Sequence, residues 1–396
     1  MRTPFEARED GLLYNIVMEL PEPSADALSA SQMLESLIRD DIRAHHGWIS
    51  FARFMELALY AKDLGYYAGG AAKLGKGGDF TTAPEMSSLF GATLARFAAS
   101  LDLPSPLQVL EFGAGSGKLA GDFMTAAPEM GLAIGQYGIV ELSADLRDRQ
   151  RQRLAGFDRV SWLDSPPAAF SGLVLCNEVL DAMPVPLVVR RQGQWLELGV
   201  SLDSGCFAFS ERSAGAGLCE QIPAAEHLPE SYQTEVHPQQ SGFVRMLGDM
   251  LAGGQGGIAV MIDYGFPANE YYLPQRSAGT LMCHYRHHAH GDPFYHVGLQ
   301  DITAHVDFTQ MGRAALESGL EIAGYMSQAS FLLGAGLPRL MERWRPEDPR
   351  DWLPAAHAVQ KLTSPAEMGE LFKVLLLTSR VALPPTLAVL DQSYRL

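Results

Sequence analysis

The chain has 396 residues, of which 47% are hydrophobic, and it carries a formal net charge of −16 at pH 7. This length allows one elaborated domain or two closely joined ones. The acidic charge argues against a nucleic acid as the main partner, because binding one requires clustered lysines and arginines. No apolar run is long enough to span a membrane, and we expect no membrane insertion.

Residues 1–29 are predicted to form a loosely ordered arm, since the segment "LPEPSADALS" is broken by prolines. Arginines alternate with acidic residues over the first ten positions, which matches neither a secretory signal nor a transit peptide. The four cysteines are scattered without a C-x-x-C pair, as is typical of reduced thiols. We therefore expect a cytoplasmic protein.

Residues 30–105 are predicted to form a helical region. Apolar residues recur at helical spacing up to Tyr60, and Gly47 divides them into two helices, with Ser50 as the N-cap of the second. A loop rich in glycine and polar residues follows, before another helix that runs through Arg96.

The stretch "LQVLEFGAGSGKLAGDF" begins as an apolar strand and breaks into alternating glycines at the start of a helix. Such a turn brings the backbone close to a ligand and points helix N–H groups at it. A phosphate-binding P-loop is excluded, because Leu119 follows Lys118 and Phe112 stands where the first glycine is needed. A dinucleotide fingerprint needs a glycine in place of Lys118, which disfavours an NAD-dependent dehydrogenase.

The remaining pattern is E-x-G-x-G-x-G, formed by Glu111, Gly113, Gly115 and Gly117. It is similar to the first motif of the class I S-adenosylmethionine-dependent methyltransferases. The next predicted strand, in "YGIVELS", ends at Glu141, whose carboxylate would accept hydrogen bonds from both hydroxyls of a ribose. These residues predict S-adenosylmethionine as the cofactor, with a glycine-rich turn that binds no ligand as the alternative.

Further strands alternate with helical patterns and predict an α/β fold, a class I methyltransferase Rossmann-like doubly wound sheet that ends in an antiparallel pair. We assign this core to residues 106–183 and 256–396. Residues 184–255 alternate in a strand-like way around Gly193 and Gly205. This pattern predicts an inserted β-rich substrate subdomain over the carboxyl edge of the sheet, where ligands bind in such folds.

Carboxylates at this edge are candidates for holding a planar guanidinium by paired hydrogen bonds. Asn177, Glu178 and Asp181 follow the fourth predicted strand, while Asp263 and Tyr264 end the fifth. We take Glu178, Asp181 and Asp263 as catalytic candidates, and Glu178 and Asp181 face the same side if they begin a helix. Structural roles remain open: Asp181 could complete a turn and Glu178 could be paired within the protein.

A histidine-rich segment does not match the spacing of a metal site. It predicts no metal, and we expect a solvated loop or one that faces the substrate. Its histidines are His284, His287, His288, His290 and His296.

Several longer segments together resemble the MidA-like family, class I methyltransferases related to the mitochondrial complex I assembly factor that methylates a protein arginine. The resemblance runs from about Ile38 to the C-terminal "EMGELFKVL", and the segments "GDFTTAPEMSSLFG" and "QDITAHVDF" are the most specific. The other matching segments are "GYY", "EFGAGSGKLAGD", "IVELSADLRDRQ", "NEVLDAMPV" and "IDYG".

The resemblance implies cofactor contacts at the three motif glycines and Glu141, with Asn177 nearby. It also implies a lid over residues 78–85, in which Asp79 and Thr81 approach the cofactor and Glu85 approaches the substrate. Gln300, Asp301, His305 and Asp307 would lie near the cleft, with Asp301 and His305 as substrate contacts. Asp301 could equally be a helix N-cap.

The resemblance implies that the acceptor is an arginine of a protein, with a respiratory-complex subunit as the expected substrate. We expect this chain itself to form a homodimer. Two alternatives stay open from the residues. The acceptor could be a small molecule, or the chain could be an assembly protein that keeps the fold without turnover.

Overall fold

The computed structural model describes residues 20–69, 82–215, 217–343 and 349–396. The predicted lid residues Asp79 and Thr81 lie outside these ranges. In chain order the strands are β1 (Trp48–Ser50), β2 (Leu107–Phe112), β3 (Ile134–Val140), β4 (Val160–Leu163), β5 (Gly172–Asn177), β6 (Leu187–Arg191), β7 (Gln194–Asp203), β8 (Cys206–Ser213), β9 (Gln233–Glu235), β10 (Gly257–Phe266), β11 (Met282–Tyr285), β12 (His288–His290), β13 (Asp301–Thr303), β14 (Val306–Asp307), β15 (Glu321–Ser327) and β16 (Phe372–Ser379).

The helices are distributed on both faces of the largest sheet and around the smaller ones. They are α1 (Ala25–Ala44), α2 (Phe51–Tyr60), α3 (Ala83–Met86), α4 (Ser88–Ala99), α5 (Lys118–Ala126), α6 (Ala144–Arg153), α7 (Pro238–Ala252), α8 (Ala268–Tyr271), α9 (Phe308–Glu317), α10 (Gln328–Gly334), α11 (Leu337–Met341), α12 (Pro349–Thr363), α13 (Met368–Leu371) and α14 (Pro385–Ala388).

The largest sheet has the strand order β15-β16-β10-β5-β2-β3-β4, with β14 paired to the end of β10. The strands from β10 to β4 are parallel, whereas β16 runs antiparallel to both β10 and β15. This order confirms the predicted doubly wound α/β fold with its antiparallel pair. The order reverses at β2, between β3 and β5, which opens a crevice at the carboxyl ends of these strands.

The central strands are apolar because helices cover both faces of the sheet. Leu173 and Leu175 of β5 belong to the core on one face, with Val109 of β2. Val174 belongs to the core on the other face, with Leu110 of β2. Because successive side chains in a strand point to opposite faces, one short apolar run contributes to both cores.

The predicted inserted strands form a second sheet in the order β1-β7-β6-β9, with β8 on the other edge of β7. The N-terminal region also contributes to this sheet, since Trp48 of β1 pairs with Ser201 of β7. A Cβ atom at Gly199 would lie 2.3 Å from the Trp48 ring, so the close approach requires glycine. Strands β11, β12 and β13 form a third, small sheet.

A shared apolar core joins the N-terminal helices to the second sheet. The Phe51 ring lies 5.9 Å from the Phe209 ring, and the Phe54 ring lies 5.7 Å from Phe207 and 5.2 Å from Phe294, measured between centroids. The N-terminal region and the insertion therefore pack as one body, although they are distant in the chain.

The domain boundaries as a whole stay predictions. At two of them, the end of the N-terminal arm and the end of the insertion, the observed packing differs from the predicted division. Helix α1 begins at Ala25, within the predicted loose arm, and Ser24 caps it by accepting a hydrogen bond from the Ala27 N–H at 3.2 Å. Helix α7 lies within the predicted insertion, yet Val244 and Leu247 pack in the core beside the main sheet.

The four cysteines form no disulfide: Cys176 and Cys283 are buried, and Cys206 is exposed. Within the described residues, no helix combines the length and the apolar composition that crossing a bilayer would require.

Candidate active site

The glycine-rich turn connects β2 to α5 and lies at the reversal of strand order. Its three motif glycines adopt left-handed φ angles, +62° at Gly113, +54° at Gly115 and +78° at Gly117. A Cβ atom at Gly117 would lie 3.3 Å from Cγ of Gln150, and one at Gly113 would lie 3.2 Å from Cγ2 of Val179. Backbone conformation and close packing both explain why the turn uses glycine.

Glu141 follows β3 and is 6% exposed. Its Oε1 accepts a hydrogen bond from the Ser143 N–H at 3.0 Å, and its Oε2 accepts one from Nε2 of Gln150 at 3.0 Å. Burial raises the pKa of this carboxyl, while these hydrogen bonds act in the opposite direction. The side chain is therefore held in one orientation at the edge of the crevice.

A cavity of about 380 Å³ fills the crevice. The described residues that line it include four glutamates, Glu85, Glu111, Glu141 and Glu178, and a single lysine, Lys118. Lys118 forms an ion pair with Asp122 on the next turn of α5. The lining therefore has more acidic than basic side chains, and a cationic ligand that enters the cavity would favour the ionised form of these carboxyl groups.

Glu178 follows β5 directly and lines the cavity. It adopts a φ of +53°, a left-handed conformation that is uncommon for any residue other than glycine. Its Oε1 accepts a hydrogen bond from Nδ2 of Asn177 at 3.0 Å, and the Ala83 N–H at the start of α3 also donates to it. Burial, and then the charge of Asp181, raise its pKa to about 8.

Asp263 lies beneath the cavity and does not line it. Its Oδ2 accepts hydrogen bonds from the backbone N–H groups of Val179, Leu180 and Asp181 at 3.2, 2.9 and 3.3 Å, and its Oδ1 accepts one from Tyr264. Both oxygens are thus bound by backbone amides. Asp263 was expected to be catalytic, and the structure shows this carboxylate holding the turn that follows Glu178.

Asp181 is also buried beside this turn and does not line the cavity. It accepts a hydrogen bond from the Tyr264 hydroxyl, and burial raises its pKa to about 6. Its Oδ1 has no partner among the described residues. The structure thus brings Asp181 close to Glu178 but places it one layer further from the cavity.

Glu111 forms part of the cavity floor and is 2% exposed. Its Oε2 accepts a hydrogen bond from the Tyr137 hydroxyl at 2.8 Å. Burial is the largest effect on this group and raises its pKa to about 8. In the ligand-free cavity Glu111 is therefore mostly protonated at neutral pH.

The remaining predicted residues lie at different depths around the cavity. Glu85 lines it and accepts a hydrogen bond from the Ser116 hydroxyl of the glycine-rich turn. Asn177 lines it too, and its Oδ1 is buried without a partner among the described residues. Asp301 and His305 do not line it.

Asp301 and His305 support aromatic side chains. The Tyr67 hydroxyl donates to both carboxylate oxygens of Asp301 at 3.0 Å. The His305 ring packs against Tyr264 at 5.1 Å, and burial lowers its pKa to about 4. The alternative N-cap role for Asp301 is wrong, since Asp307 caps α9 by accepting from the N–H groups of Thr309 and Gln310.

Several cavity residues were not predicted. Tyr60 and Tyr67 form one wall, and Met183, Phe243 and Met246 form an apolar part of another. Tyr67 belongs to the "GYY" segment, which signalled the resemblance without indicating a role. Phe243 and Met246 lie on α7 and could not be predicted from the sequence, because their spacing is that of any apolar helix face.

Three of the five histidines in the histidine-rich segment lie in strands, His284 in β11 and His288 and His290 in β12. No group of three or more histidine, cysteine or acidic side chains within the described ranges is arranged to hold a metal ion.

Residues 89–326 match the model of a family described as S-adenosyl-L-methionine-dependent methyltransferases. A crystal structure of a methyl transferase candidate from Burkholderia thailandensis, bound to S-adenosyl-homocysteine, is 47% identical. It superimposes with a TM-score of 0.88, covering 95% of this chain and 100% of that one. The likeness confirms the fold and the cofactor class.

Curated relatives carry a more specific name. The protein arginine methyltransferase NDUFAF7, mitochondrial, of Danio rerio is 29% identical over 85% of each chain. The Drosophila melanogaster homologue is 28% identical over 90% of this chain and 87% of its own. Both are named mitochondrial, so the expectation of a cytoplasmic location is wrong by this comparison.

Proposed function

We propose that this chain, which belongs to the family of S-adenosyl-L-methionine-dependent methyltransferases, transfers the methyl group to an arginine side chain of a protein. The acidic cavity is the main support: four glutamates line it, and the single lysine among its described residues is paired with Asp122. The names of the curated relatives agree with this acceptor.

The residues at the glycine-rich turn suit S-adenosylmethionine, which supplies a methyl group activated by a positively charged sulfur. We assign the ribose hydroxyls to Glu141, whose carboxylate is held by Ser143 and Gln150. We assign the amino-acid end to Gly113 and Gly115, where only backbone faces the cavity. The Oδ1 of Asn177, which has no partner among the described residues, is an acceptor that a ligand N–H or O–H can satisfy.

Glu178 is the residue we assign to the guanidinium. A carboxylate binds this group by two parallel hydrogen bonds, which fixes its plane and directs one nitrogen at the methyl group. The cation also favours ionisation of Glu178, whose pKa is near 8 in the empty cavity. Formation of the N–C bond would accompany cleavage of the sulfur–methyl bond of the donor, which would leave as S-adenosylhomocysteine. The nitrogen then loses one proton, and the Glu178 carboxylate can accept it.

Asp181 and Asp263 are positioning residues in this proposal. The contact of Asp263 with three consecutive N–H groups fixes the turn after Glu178. Burial is the main cause of the high pKa of Glu178 and the negative charge of Asp181 raises it further, so that Glu178 can receive a proton. Glu85 is proposed to reach the acceptor only from the rim, because it also holds Ser116.

The test is methyl transfer to proteins in an extract of cells that lack this protein. The purified chain is incubated with S-adenosylmethionine carrying a radioactive methyl group, and the labelled proteins are hydrolysed to amino acids. We expect label in methylated arginine, loss of that label in Glu178→Gln, and full activity in Glu226→Gln. Glu226 is a suitable control because its side chain is 71% exposed.

The other outcomes identify the alternatives. Label in a metabolite and not in protein would establish a small-molecule acceptor. S-adenosylhomocysteine binding without label in any extract would favour an assembly protein that has lost turnover. Identification of the labelled protein would also test whether the acceptor is a respiratory-complex subunit, and sedimentation of the purified chain would test the predicted homodimer.

A further inference from the structure

We infer that the stacked side chains of Tyr60 and Tyr67 are the specificity-determining wall that recognises the flat, cationic guanidinium of the acceptor. This inference rests on the proposed function and extends it to two residues with no assigned role. Both line the cavity that Glu178 also lines, and their rings stack with centroids 5.5 Å apart and planes 21° apart.

The chain builds this pair locally. Tyr60 is the last residue of α2, and the following loop folds back on the helix, where the Tyr67 N–H donates to the Leu59 carbonyl at 2.8 Å. A Cβ atom at Gly65 would lie 2.6 Å from the Ala61 nitrogen, so the tight return requires glycine. The "GYY" sequence therefore serves to bring Tyr67 onto Tyr60.

The hydroxyl groups of Tyr60 and Tyr67 both donate their protons to other groups of the protein. The Tyr67 hydroxyl donates to Asp301, and the Tyr60 hydroxyl donates to the Ala182 carbonyl at 2.9 Å. Neither can donate to a ligand while these bonds persist. What the pair offers the cavity is ring surface and oxygen lone pairs, which attract a cation or an N–H group.

The acidic groups around the two tyrosines also favour a cationic ligand. The carboxylates of Asp301 and Asp181 lie near enough to raise the pKa values of both hydroxyls, an effect that adds to burial. Glu178 lines the same cavity, and the charge of Glu141 raises the pKa of the Tyr60 hydroxyl further. A guanidinium is planar, stacks on aromatic rings and carries five donors, whereas a lysine ammonium is compact and strongly hydrated. The arrangement therefore favours arginine over lysine.

The experiment measures binding of a small guanidinium probe, separately from methyl transfer. Nα-acetylarginine methylamide is titrated into the complex of the full chain with S-adenosylhomocysteine and followed by ligand-detected NMR. The neutral citrulline analogue, which has nearly the same shape, and the lysine analogue are run in parallel. We expect the arginine probe to bind in clear preference to both.

Variants of the two tyrosines distinguish the contribution of the aromatic ring to probe binding from that of the hydroxyl group. Tyr60→Leu and Tyr67→Leu are each expected to weaken arginine-probe binding by about tenfold, the size of a desolvated cation–ring contact. Tyr67→Phe keeps the ring and should lose at most about threefold. Asp301→Asn, which acts through Tyr67, should lower probe affinity while S-adenosylhomocysteine affinity is kept. Tyr394→Leu is the matched control, since Tyr394 is 84% exposed.

The binding results can also contradict the role inferred for Tyr60 and Tyr67. Leucine variants that bind S-adenosylhomocysteine and still bind the arginine probe like wild type would overturn the inference. So would a wild-type complex that binds arginine and citrulline probes equally, or neither. If a leucine variant does not fold, the Tyr67→Phe and Asp301→Asn comparisons still test the pair. The proposed function fails separately, when no protein arginine receives label.

Discussion

Gln150 holds Glu141 in place: its Nε2 lies 3.0 Å from Oε2 of Glu141 and also donates to the Gly115 carbonyl at 2.9 Å. Its own Oε1 accepts a hydrogen bond from Nε1 of Trp162 at 2.9 Å. One fully buried amide on α6 therefore links the glycine-rich turn, the carboxylate after β3 and the adjacent strand β4. The cofactor-binding half of the cavity depends on a residue that does not line it.

Gln150→Ala is predicted to weaken S-adenosylhomocysteine binding by about tenfold, because Glu141 loses a buried hydrogen bond and becomes free to turn. Gln152→Ala is the matched control, an exposed glutamine on the same helix. Isothermal titration of both variants measures the difference. Equal affinities would mean that the remaining Ser143 contact is enough to orient Glu141.

Gly117→Ala is predicted to lower both stability and cofactor affinity. The left-handed φ of +78° costs an alanine about 1–2 kcal/mol, and the new Cβ would press on Gln150. Gly131→Ala provides the control, since φ is +75° there and no atom lies within 4 Å of the added Cβ. Thermal melting should fall for both variants, whereas S-adenosylhomocysteine affinity should fall only for Gly117→Ala. A loss of affinity in both would point to a general effect of backbone strain.

Glu111 is predicted to make stability fall as pH rises from about 5 to about 8. Its pKa is about 8 in the folded chain against an ordinary value of 4.5, so unfolding releases a proton across this window. The free energy of unfolding should drop by up to about 1.4 kcal/mol per pH unit from this group. In Glu111→Gln this contribution disappears, and its melting temperature should gain on wild type as pH rises. Glu226→Gln should follow wild type; parallel curves for Glu111→Gln would show that Glu111 ionises normally.

Asp263→Asn is predicted to destabilise the fold by about 1–3 kcal/mol, because an amide nitrogen replaces one of two oxygens that accept backbone N–H groups. Methyl transfer should fall as well, since the turn after Glu178 would shift. Asp203→Asn is the control, at an exposed position in β7. Chemical unfolding and the labelling assay are measured together. Lost activity at unchanged stability would instead support the original catalytic assignment.

The part of the site that lies on the sheet was predictable from local sequence. An apolar run followed by alternating glycines fixed the position of the turn, and the next strand end placed Glu141 beside it. The structure confirms this fold, because parallel strands with both faces covered must be apolar and must end at one edge. The same argument predicts that Glu178, at the end of β5, and Asp263, near the end of β10, lie at the same edge of the sheet.

The rest of the site depends on contacts that local sequence does not encode. The Tyr67 hydroxyl meets a carboxylate 234 residues further along the chain. Asp263 appeared equivalent to Glu178 in the sequence, and only its four backbone contacts distinguish a supporting role. The sequence does not single out Gln150, because one polar residue in a highly charged helix gives no sign of which face is buried.

The packing of Phe51 and Phe54 against Phe209, Phe207 and Phe294 has a consequence during translation. The two α2 side chains leave the ribosome well before their partners are made, a delay of roughly ten to thirty seconds at ordinary synthesis rates. Throughout that interval these two side chains lack their native aromatic partners, and apolar surface that is transiently exposed in this way promotes aggregation. The N-terminal helices are therefore not an autonomous folding unit, and a fragment that ends before β7 should aggregate rather than fold.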